Sequence, residues 1–273
     1  MENIFHSNCK INLGLNVISR RTDGYHNIES LMFPVKGLYD TITIVPRKDN
    51  EVNFFQKNIV VDCLNEDNLC VKAYRMLMIQ YGISGADMTI EKNIPFGAGL
   101  GGGSSNAAYV LKSANEVFGL GISNTELLDI AKHLGCDTSF FIENKAVIVE
   151  GKGDLMSPID ISLEGYHLTL IKPNFSVSTQ EAYRGVRASL PEKTIKKIVT
   201  MDINNWKNYL KNDFETSVFK KYPLLEEIKK SLYKKGAILA MMSGSGSTIY
   251  AISETSLDIN EYVGKMFTFS TIL

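Results

Sequence analysis

The glycine-rich stretch Ile94–Ala108 limits the possible folds of this chain more than any other feature. Five of the seven residues in Gly97–Gly103 are glycine, and apolar residues at helical spacing follow over Ala107–Phe118. Because glycine has no Cβ, such a run can turn through positive φ and point successive backbone N–H groups at one anion. The pattern predicts a phosphate-binding loop that leads into a helix N-terminus. We expect Ser104 or Ser105 to cap that helix.

Three known nucleotide-binding loops compete for this stretch. Aligning Gly97 and Gly102 with the fixed glycines of a Walker A loop puts Gly103 where the lysine belongs, so that motif is excluded. The protein-kinase loop is excluded too, because the chain contains no HRD or DFG signature. Gly97–Gly102 does satisfy the dinucleotide fingerprint, although Pro95 interrupts the junction between strand and turn. A nicotinamide-dependent oxidoreductase therefore stays open as an alternative.

The composition points to an ordinary globular enzyme that acts on small molecules. The 273 residues are 44% hydrophobic and 22% charged, which is enough for a sizeable core. The 29 basic and 30 acidic side chains nearly cancel, so we expect no nucleic-acid partner and no membrane partner. The four cysteines form no CxxC pair, which argues against zinc and a disulfide framework. With no membrane-spanning run and no targeting pattern, a cytoplasmic location is expected.

The hydrophobic patterns predict a mixed fold. Residues 10–62 are mostly predicted as strand, because apolar residues alternate and Thr41–Val45 is β-branched. Further along, the patterns predict a helix over Leu69–Tyr81, a strand over Asp87–Glu91, a helix from Asn124 capped by Gly135, a strand-like run at Phe140–Ile142, and a strand over Leu168–Lys172. This mixture lacks a strict βαβ rhythm, which favours an α+β fold. A change in composition at Gly151–Asp154 predicts a domain boundary there, with 156–164 as a connection.

Several residues that could carry chemistry also have ordinary structural interpretations. Asp137 follows an expected helix end, where an aspartate is most often a turn or capping residue. Lys10 begins a strand, where a lysine is most often a solvated surface charge. Tyr25 and His26 follow Asp23-Gly24 and are first interpreted as part of a tight turn. Taken one at a time, these residues identify no reaction.

Taken together, three segments resemble the signature motifs of one family. The block Pro95–Ala108 closely resembles the second motif of the GHMP kinases, the galactose, homoserine, mevalonate and phosphomevalonate kinase superfamily. Lys10–Leu13 is similar to its first motif, and Ser243–Thr248 is similar to its third. The matches follow the expected order from Lys10 to about Tyr250, so the resemblance is more specific than a single motif.

Three further blocks narrow this resemblance to one branch of the superfamily. Arg21–His26, Glu66–Leu69 and Leu134–Asp137 are similar to members that phosphorylate the 2-hydroxyl of 4-diphosphocytidyl-2-C-methyl-D-erythritol in non-mevalonate isoprenoid biosynthesis. The resemblance implies a small-molecule kinase with ATP and Mg²⁺ as cofactors and a cytidine diphosphate sugar alcohol as substrate. It also implies a β-rich N-terminal ATP-binding domain (1–155), an α+β C-terminal domain (156–273) and an active site in the cleft between them. A monomer or a homodimer is expected.

The resemblance also assigns roles to single residues. Asp137 would accept or orient the proton of the substrate hydroxyl, and Lys10 would offset charge on the transferring phosphoryl group. Ser104 or Ser105 would reach the magnesium ion, whose carboxylate ligand cannot be assigned. The residues expected around ATP are Asn68, Leu69, Lys92, Pro95, Phe96, Gly97, Ala98, Gly99, Leu100, Gly101, Gly102, Gly103, Ser104 and Ser105. The residues expected around the substrate are Asn12, Tyr25, His26, Thr179 and Tyr183.

Within the substrate group, Tyr25 would stack on the cytosine ring, His26 would hydrogen-bond its edge, and Tyr183 would lie on its other face. The chain departs from the family where Thr138-Ser139 replace a Val-Pro pair after the aspartate. A kinase for another small alcohol and a non-catalytic nucleotide-binding protein stay open as alternatives. The latter would tolerate Asp137→Asn without loss of function.

Overall fold

The computed structural model describes residues 3–61 and 63–273, which form two compact units. The first unit contains the described residues up to Cys9, together with Gly37–Phe96 and Gly101–Lys145. The second contains Lys10–Lys36, Gly97–Leu100 and Ala146–Leu273. Each unit is therefore assembled from separate stretches of sequence. The predicted boundary between residues 155 and 156 stays a prediction.

Strands and helices alternate irregularly along the chain. The strands are β1 (Asn3–Arg20), β2 (His26–Pro46), β3 (Val52–Asn58), β4 (Ala86–Lys92), β5 (Val147–Glu150), β6 (Leu155–Pro158), β7 (His167–Lys172), β8 (Leu239–Met242), β9 (Ile249–Ser253) and β10 (Phe267–Ile272). The helices are α1 (Leu69–Tyr81), α2 (Gly102–Val117), α3 (Asn124–Lys132), α4 (Cys136–Glu143), α5 (Thr179–Arg184), α6 (Ile195–Ile198), α7 (Glu215–Lys221) and α8 (Pro223–Lys234). Among these described residues, no helix is long and apolar enough to cross a membrane.

The first unit combines a sheet with the helices α1 to α4. The later part of β2 pairs antiparallel with β4, with Thr41 opposite Glu91, and β3 pairs parallel with β4. Every second residue of β4 is buried, so the strand has one face toward the core. Helix α1 packs on α2, and α2 packs on α4. The inward face of β4 ends at Lys92, a buried lysine at a core position.

The second unit is built on an antiparallel four-stranded sheet with the order β10-β7-β9-β8. Helix α8 packs on β8 and β9 through Leu225, Ile228 and Leu232, which are fully buried. Their spacing of three and four residues gives α8 one apolar face. In the same unit the early part of β2 pairs with β5, and β5 pairs with β6.

Most of the predicted elements are confirmed, including the helix over Leu69–Tyr81 and the mixed α+β composition. Three of the predictions differ from the structure. The run Phe140–Ile142 lies in α4 and not in a strand, because a short apolar run has no period that separates a buried helix from a buried strand. Gly135 is the N-cap residue of α4 and does not cap α3, which ends at Lys132. The expected connection over 156–164 begins inside strand β6.

Candidate active site

The glycine loop turns through positive φ as predicted, but the helix that follows it begins earlier than predicted. Gly97, Gly99 and Gly101 have φ values of 59°, 73° and 71°, in the region that favours glycine. Helix α2 begins at Gly102 with Gly101 as the N-cap residue, so the prediction that Ser104 or Ser105 caps it is wrong. Because Gly101 has no side chain, it leaves the first N–H groups of α2 to another acceptor.

The two serines of this helix differ in their surroundings. Ser105 is fully buried, and its hydroxyl donates to the carbonyl oxygen of Asn8 at 2.5 Å. Ser104 lies in the first turn of α2 and is half-buried. Ser105 therefore attaches the helix to β1, and Ser104 is the better placed of the two for a ligand.

Within the second unit, Gly97–Leu100 packs against the other glycine motif, Ser243–Thr248. The Ser243 hydroxyl donates to Gly99 O at 2.8 Å, and Thr248 N donates to Ala98 O at 3.2 Å. A Cβ on Gly99 would lie 1.9 Å from Ser243 O. The structure thus brings together two motifs that are about 145 residues apart, and it requires glycine at position 99.

Lys10 is buried and belongs to the same cluster. Its Nζ donates to Asn12 Oδ1 at 2.5 Å and to Gly99 O at 3.1 Å, with the lysine only 4% exposed. Asn12 in turn donates from Nδ2 to Ser30 Oγ, and its carbonyl accepts from Tyr250 OH at 3.0 Å. Burial raises the pKa of Tyr250 well above its usual value, so it donates as a neutral phenol. The interpretation of Lys10 as a solvated surface charge is wrong.

Asp137 lies in the first turn of α4, in the first unit, and is half-buried. The helix behind it is anchored by Phe140, Phe141 and Ile142, all buried. A carboxylate in the first turn of a helix is favoured by the helix dipole. The short helix therefore holds Asp137 at a defined position.

The aromatic residues predicted around the substrate lie in the second unit. His26 stacks on Tyr183, with ring centroids 4.9 Å apart and an angle of 20° between the planes. Tyr25 is 60% exposed, and Lys152 Nζ lies 5.6 Å from its ring centroid. The turn before them is ordered, since Tyr25 N donates to Asp23 Oδ1 at 3.1 Å. The structure thus brings His26 and Tyr183 together and leaves the Tyr25 ring accessible.

Helix α5 carries Tyr183 and Thr179 and is attached to α7. Glu181 accepts hydrogen bonds from Lys221 Nζ and from Tyr222 OH. The hydrogen bond from the Lys221 ammonium lowers the pKa of the Glu181 carboxyl, so it stays ionised near neutral pH. Thr179 is exposed, and its hydroxyl lies 3.4 Å from that of Ser245 in the second glycine motif.

The residues predicted near the nucleotide base have structural contacts of their own. Asn68 caps α1 by accepting from Cys70 N at 2.9 Å, and Leu69 is the first residue of that helix. Lys92 Nζ donates to Asp40 Oδ2 at 2.6 Å and to Asn106 Oδ1 at 2.9 Å. Next to the glycine loop, Pro95 is half-buried and Phe96 is 60% exposed.

Sequence reasoning missed Asp40, which is fully buried beside Lys92. One signal could have found it. Leu38, Asp40, Ile42 and Ile44 are the buried alternate residues of β2, so an aspartate stands at an inward position of an apolar strand face. A buried aspartate at such a position requires strong hydrogen-bond donors.

Comparison with known proteins decides the family. The family model for the GHMP kinases N terminal domain matches residues 68–144, and that for the GHMP kinases C terminal matches residues 194–266. A Bacteroides fragilis protein named 4-diphosphocytidyl-2-C-methyl-D-erythritol kinase is 45% identical over 247 residues, 90% of this chain and 90% of that protein. The chain belongs to the GHMP kinase family. As a GHMP kinase it is a small-molecule kinase that uses ATP, which overturns the oxidoreductase and non-catalytic alternatives.

Solved structures support the same GHMP kinase fold. A crystal structure of 4-(cytidine 5'-diphospho)-2C-methyl-D-erythritol kinase is 27% identical, with a TM-score of 0.84 over 99% of this chain and 98% of that one. The homoserine kinase from Cytophaga hutchinsonii is 16% identical, with a TM-score of 0.69 over 100% of this chain and 95% of that one. At this low identity, the likeness to the homoserine kinase concerns the fold alone.

Proposed function

We propose that this GHMP kinase transfers the γ-phosphoryl group of ATP to the 2-hydroxyl of 4-diphosphocytidyl-2-C-methyl-D-erythritol. The products are the 2-phosphate and ADP, and the reaction belongs to non-mevalonate isoprenoid precursor biosynthesis. The observation that carries the proposal is the 45% identity to a protein of that name over 90% of both chains. We further propose that the reaction takes place in the cytoplasm, where ATP is available, in a monomer or homodimer.

Asp137 is proposed to accept the proton of the substrate 2-hydroxyl. As that proton leaves, the hydroxyl oxygen forms a bond to the γ-phosphorus, and the bond from this phosphorus to the leaving oxygen of ADP breaks. Lys10 would offset the negative charge of the transferring phosphoryl group. Phosphoryl transfer depends mainly on positioning and charge stabilisation, and a buried lysine and a carboxylate on a short anchored helix suit those roles.

The glycine loop is proposed to bind the phosphates of ATP through its backbone N–H groups. Positive φ at Gly97, Gly99 and Gly101 and the glycine N-cap of α2 support this role. Asn68, Leu69 and Lys92 are proposed to lie on the adenine side. Lys92 forms an ion pair with Asp40, so we propose that it contributes to nucleotide binding by maintaining the shape of this region.

A magnesium ion is the second cofactor that we propose. Mg²⁺ in nucleotide sites is held by substrate phosphates and water with only one or two protein oxygens. Ser104 would offer such an oxygen, whereas the Ser105 hydroxyl already donates to Asn8. Within residues 3–61 and 63–273, no group of three or more His, Cys, Asp and Glu side chains could hold a metal. When bound, the ion would supply positive charge to the phosphate oxygens.

The cytidine group is proposed to bind at Tyr25, His26 and Tyr183, with Asn12 and Thr179 as further substrate contacts. The Tyr25 ring is accessible, and His26 is held by its stack on Tyr183. Aromatic faces with a nearby hydrogen-bonding ring suit a planar pyrimidine. A small alcohol without a base would not use these rings.

The proposal is tested by following ADP release with ATP, Mg²⁺ and 4-diphosphocytidyl-2-C-methyl-D-erythritol. Release should depend on the cytidine substrate and should stay at background with homoserine. Absence of release with the cytidine substrate would overturn the proposal. Equal release with homoserine would move the assignment to another small alcohol.

Replacing His26 with alanine should raise KM for the cytidine substrate about tenfold, since it removes one hydrogen bond and a stacking partner of Tyr183. KM for ATP should be unchanged. The control is His133→Ala, because His133 is an exposed residue at the end of α3. If His26→Ala keeps its full affinity for the substrate, the cytosine assignment is wrong and the kinase assignment stands.

A further inference from the structure

The Asp40 carboxylate accepts four hydrogen bonds, one for each lone-pair site of an ionised aspartate. Its Oδ1 accepts from Asn93 N at 2.7 Å and from Ile94 N at 2.8 Å. Its Oδ2 accepts from Lys92 Nζ at 2.6 Å and from Asn106 Nδ2 at 2.9 Å. All four donors belong to the first unit. The carboxylate therefore has no acceptor capacity left over.

The cluster is buried and closely connected. Asp40 is 0% exposed, Lys92 5% and Asn106 3%. The Asn106 amide also joins Lys92 to Ser7, since its Oδ1 accepts from Lys92 Nζ and its Nδ2 donates to Ser7 Oγ at 2.7 Å. A buried ion pair stabilises a structure only where its remaining hydrogen bonds are satisfied, and breaking one partner leaves an uncompensated charge. Here all four acceptor sites of the Asp40 carboxylate are used, and Lys92 Nζ also donates to Asn106 Oδ1.

The donors come from the two segments that flank the glycine loop. Asn93 and Ile94 immediately precede Pro95, where the loop begins, and Asn106 lies in the second turn of α2, which follows it. Asp40 thus holds the backbone before the loop and the helix after it. A segment with five glycines among seven residues has a high conformational entropy, so its shape depends on how its ends are held.

We infer that Asp40 is a positioning residue for the phosphate-binding loop of this kinase. It holds Asn93 and Ile94 on one side and α2 on the other, so that the first N–H groups of α2 face the nucleotide phosphates. Lys92 and Asn106 complete the anchor. The inference rests on the phosphate-binding role proposed above for the glycine loop.

Asp40→Asn tests this role. An asparagine amide turns one acceptor atom into a donor, so it faces either the two backbone N–H groups or Lys92 and Asn106 with the wrong polarity. Since small displacements of positioning groups are costly, Kd for ADP and KM for ATP should rise about tenfold or more. KM for the cytidine substrate should stay within about twofold, a change below 0.5 kcal/mol. The measurements are ADP binding by calorimetry, both KM values and the thermal midpoint.

Asp87→Asn is the matched control. Asp87 lies in β4 of the same unit and pairs with Arg47 at 3.0 Å, but its side chain is 41% exposed. This variant removes an ion pair without touching the loop, and its Kd for ADP should equal that of the wild type. A milder variant, Asn106→Ala, keeps the Asp40–Lys92 pair and should also raise Kd for ADP. It provides the test if Asp40→Asn does not fold.

The outcomes are distinct. If folded Asp40→Asn or Asn106→Ala has a lower thermal midpoint but the wild-type Kd for ADP, the role is structural and the inference is wrong. If both KM values rise equally, the effect is not specific to the loop and the inference is again wrong. If the wild type binds ADP but does not phosphorylate the cytidine substrate, the proposed function fails, and the Kd comparison still decides the role of Asp40.

Discussion

Asp137→Asn is expected to lower kcat by about 10²- to 10⁴-fold, the range that general acid–base catalysis contributes. Asparagine keeps the shape of the side chain but cannot take up the proton of the substrate hydroxyl. The residue lies in the first turn of α4, whose buried aromatic residues hold the helix without it. KM for ATP should therefore change little, as expected for an interaction made in the transition state. ADP release at saturating substrates measures the effect.

The control for this variant is Asp129→Asn. Asp129 lies in α3 and forms an exposed ion pair with Lys132 at 2.7 Å, so its loss should leave kcat unchanged. Thermal unfolding of both variants checks that neither changes the fold. If Asp137→Asn turns over at a rate close to the wild type, Asp137 neither accepts nor orients the proton, and the catalytic assignment is wrong.

Gly99→Ala should have the second large effect, through the shape of the proposed phosphate-binding loop. The new Cβ would lie 1.9 Å from Ser243 O and 3.2 Å from Gly246 N, both backbone atoms that cannot rotate away. Gly99 also has φ of 73°, which costs a residue with a Cβ about 1–2 kcal/mol. We expect an activity loss of about 100-fold, because a shift of roughly 1 Å in the positioning groups has that effect. The activity and the thermal midpoint should both fall.

Gly119→Ala separates the steric clash of a Cβ at position 99 from the conformational cost of positive φ. Gly119 has a φ of 59°, close to that of Gly99, but a Cβ there would meet nothing within 4 Å. It should show the conformational cost of positive φ and keep its activity. If Gly99→Ala loses no more activity than Gly119→Ala, the packing of the two glycine motifs does not control the phosphate loop.

Helices and strands with a regular local sequence pattern were predicted well, and those without one were not. Helix α1 matches its predicted bounds because it combines a capping asparagine, helical spacing and a glycine in the left-handed conformation at its end. The run Phe140–Ile142 of helix α4 resembles a strand because the helix has only eight residues and these apolar residues are consecutive. Short buried elements take their conformation from what they pack on, which a local pattern does not contain.

The residues of the candidate site likewise differ in whether a local sequence pattern predicts them. The glycine loop, the aromatic pair Tyr25-His26 and Asp137 are recognisable because each belongs to a motif of adjacent residues. The burial of Lys10 was not predicted, since it depends on the glycine motif that contains Gly99, one of its two hydrogen-bond acceptors, 89 residues away. Ser104 or Ser105 is the predicted helix cap, but Gly101 is the N-cap residue and Ser105 donates to Asn8, 97 residues away.

By itself, the sequence determined the family resemblance, the mixed fold and a glycine loop able to turn through positive φ. These follow from adjacent residues, whose steric and periodic preferences act along the chain. Only the tertiary structure decided which polar residues hold that loop in place. Asp40 meets Lys92 across 52 residues, and Ser243 meets Gly99 across 144. Such pairs form because folding buries charged and polar groups that must then find partners, and the partner is set by the packing of strands and helices.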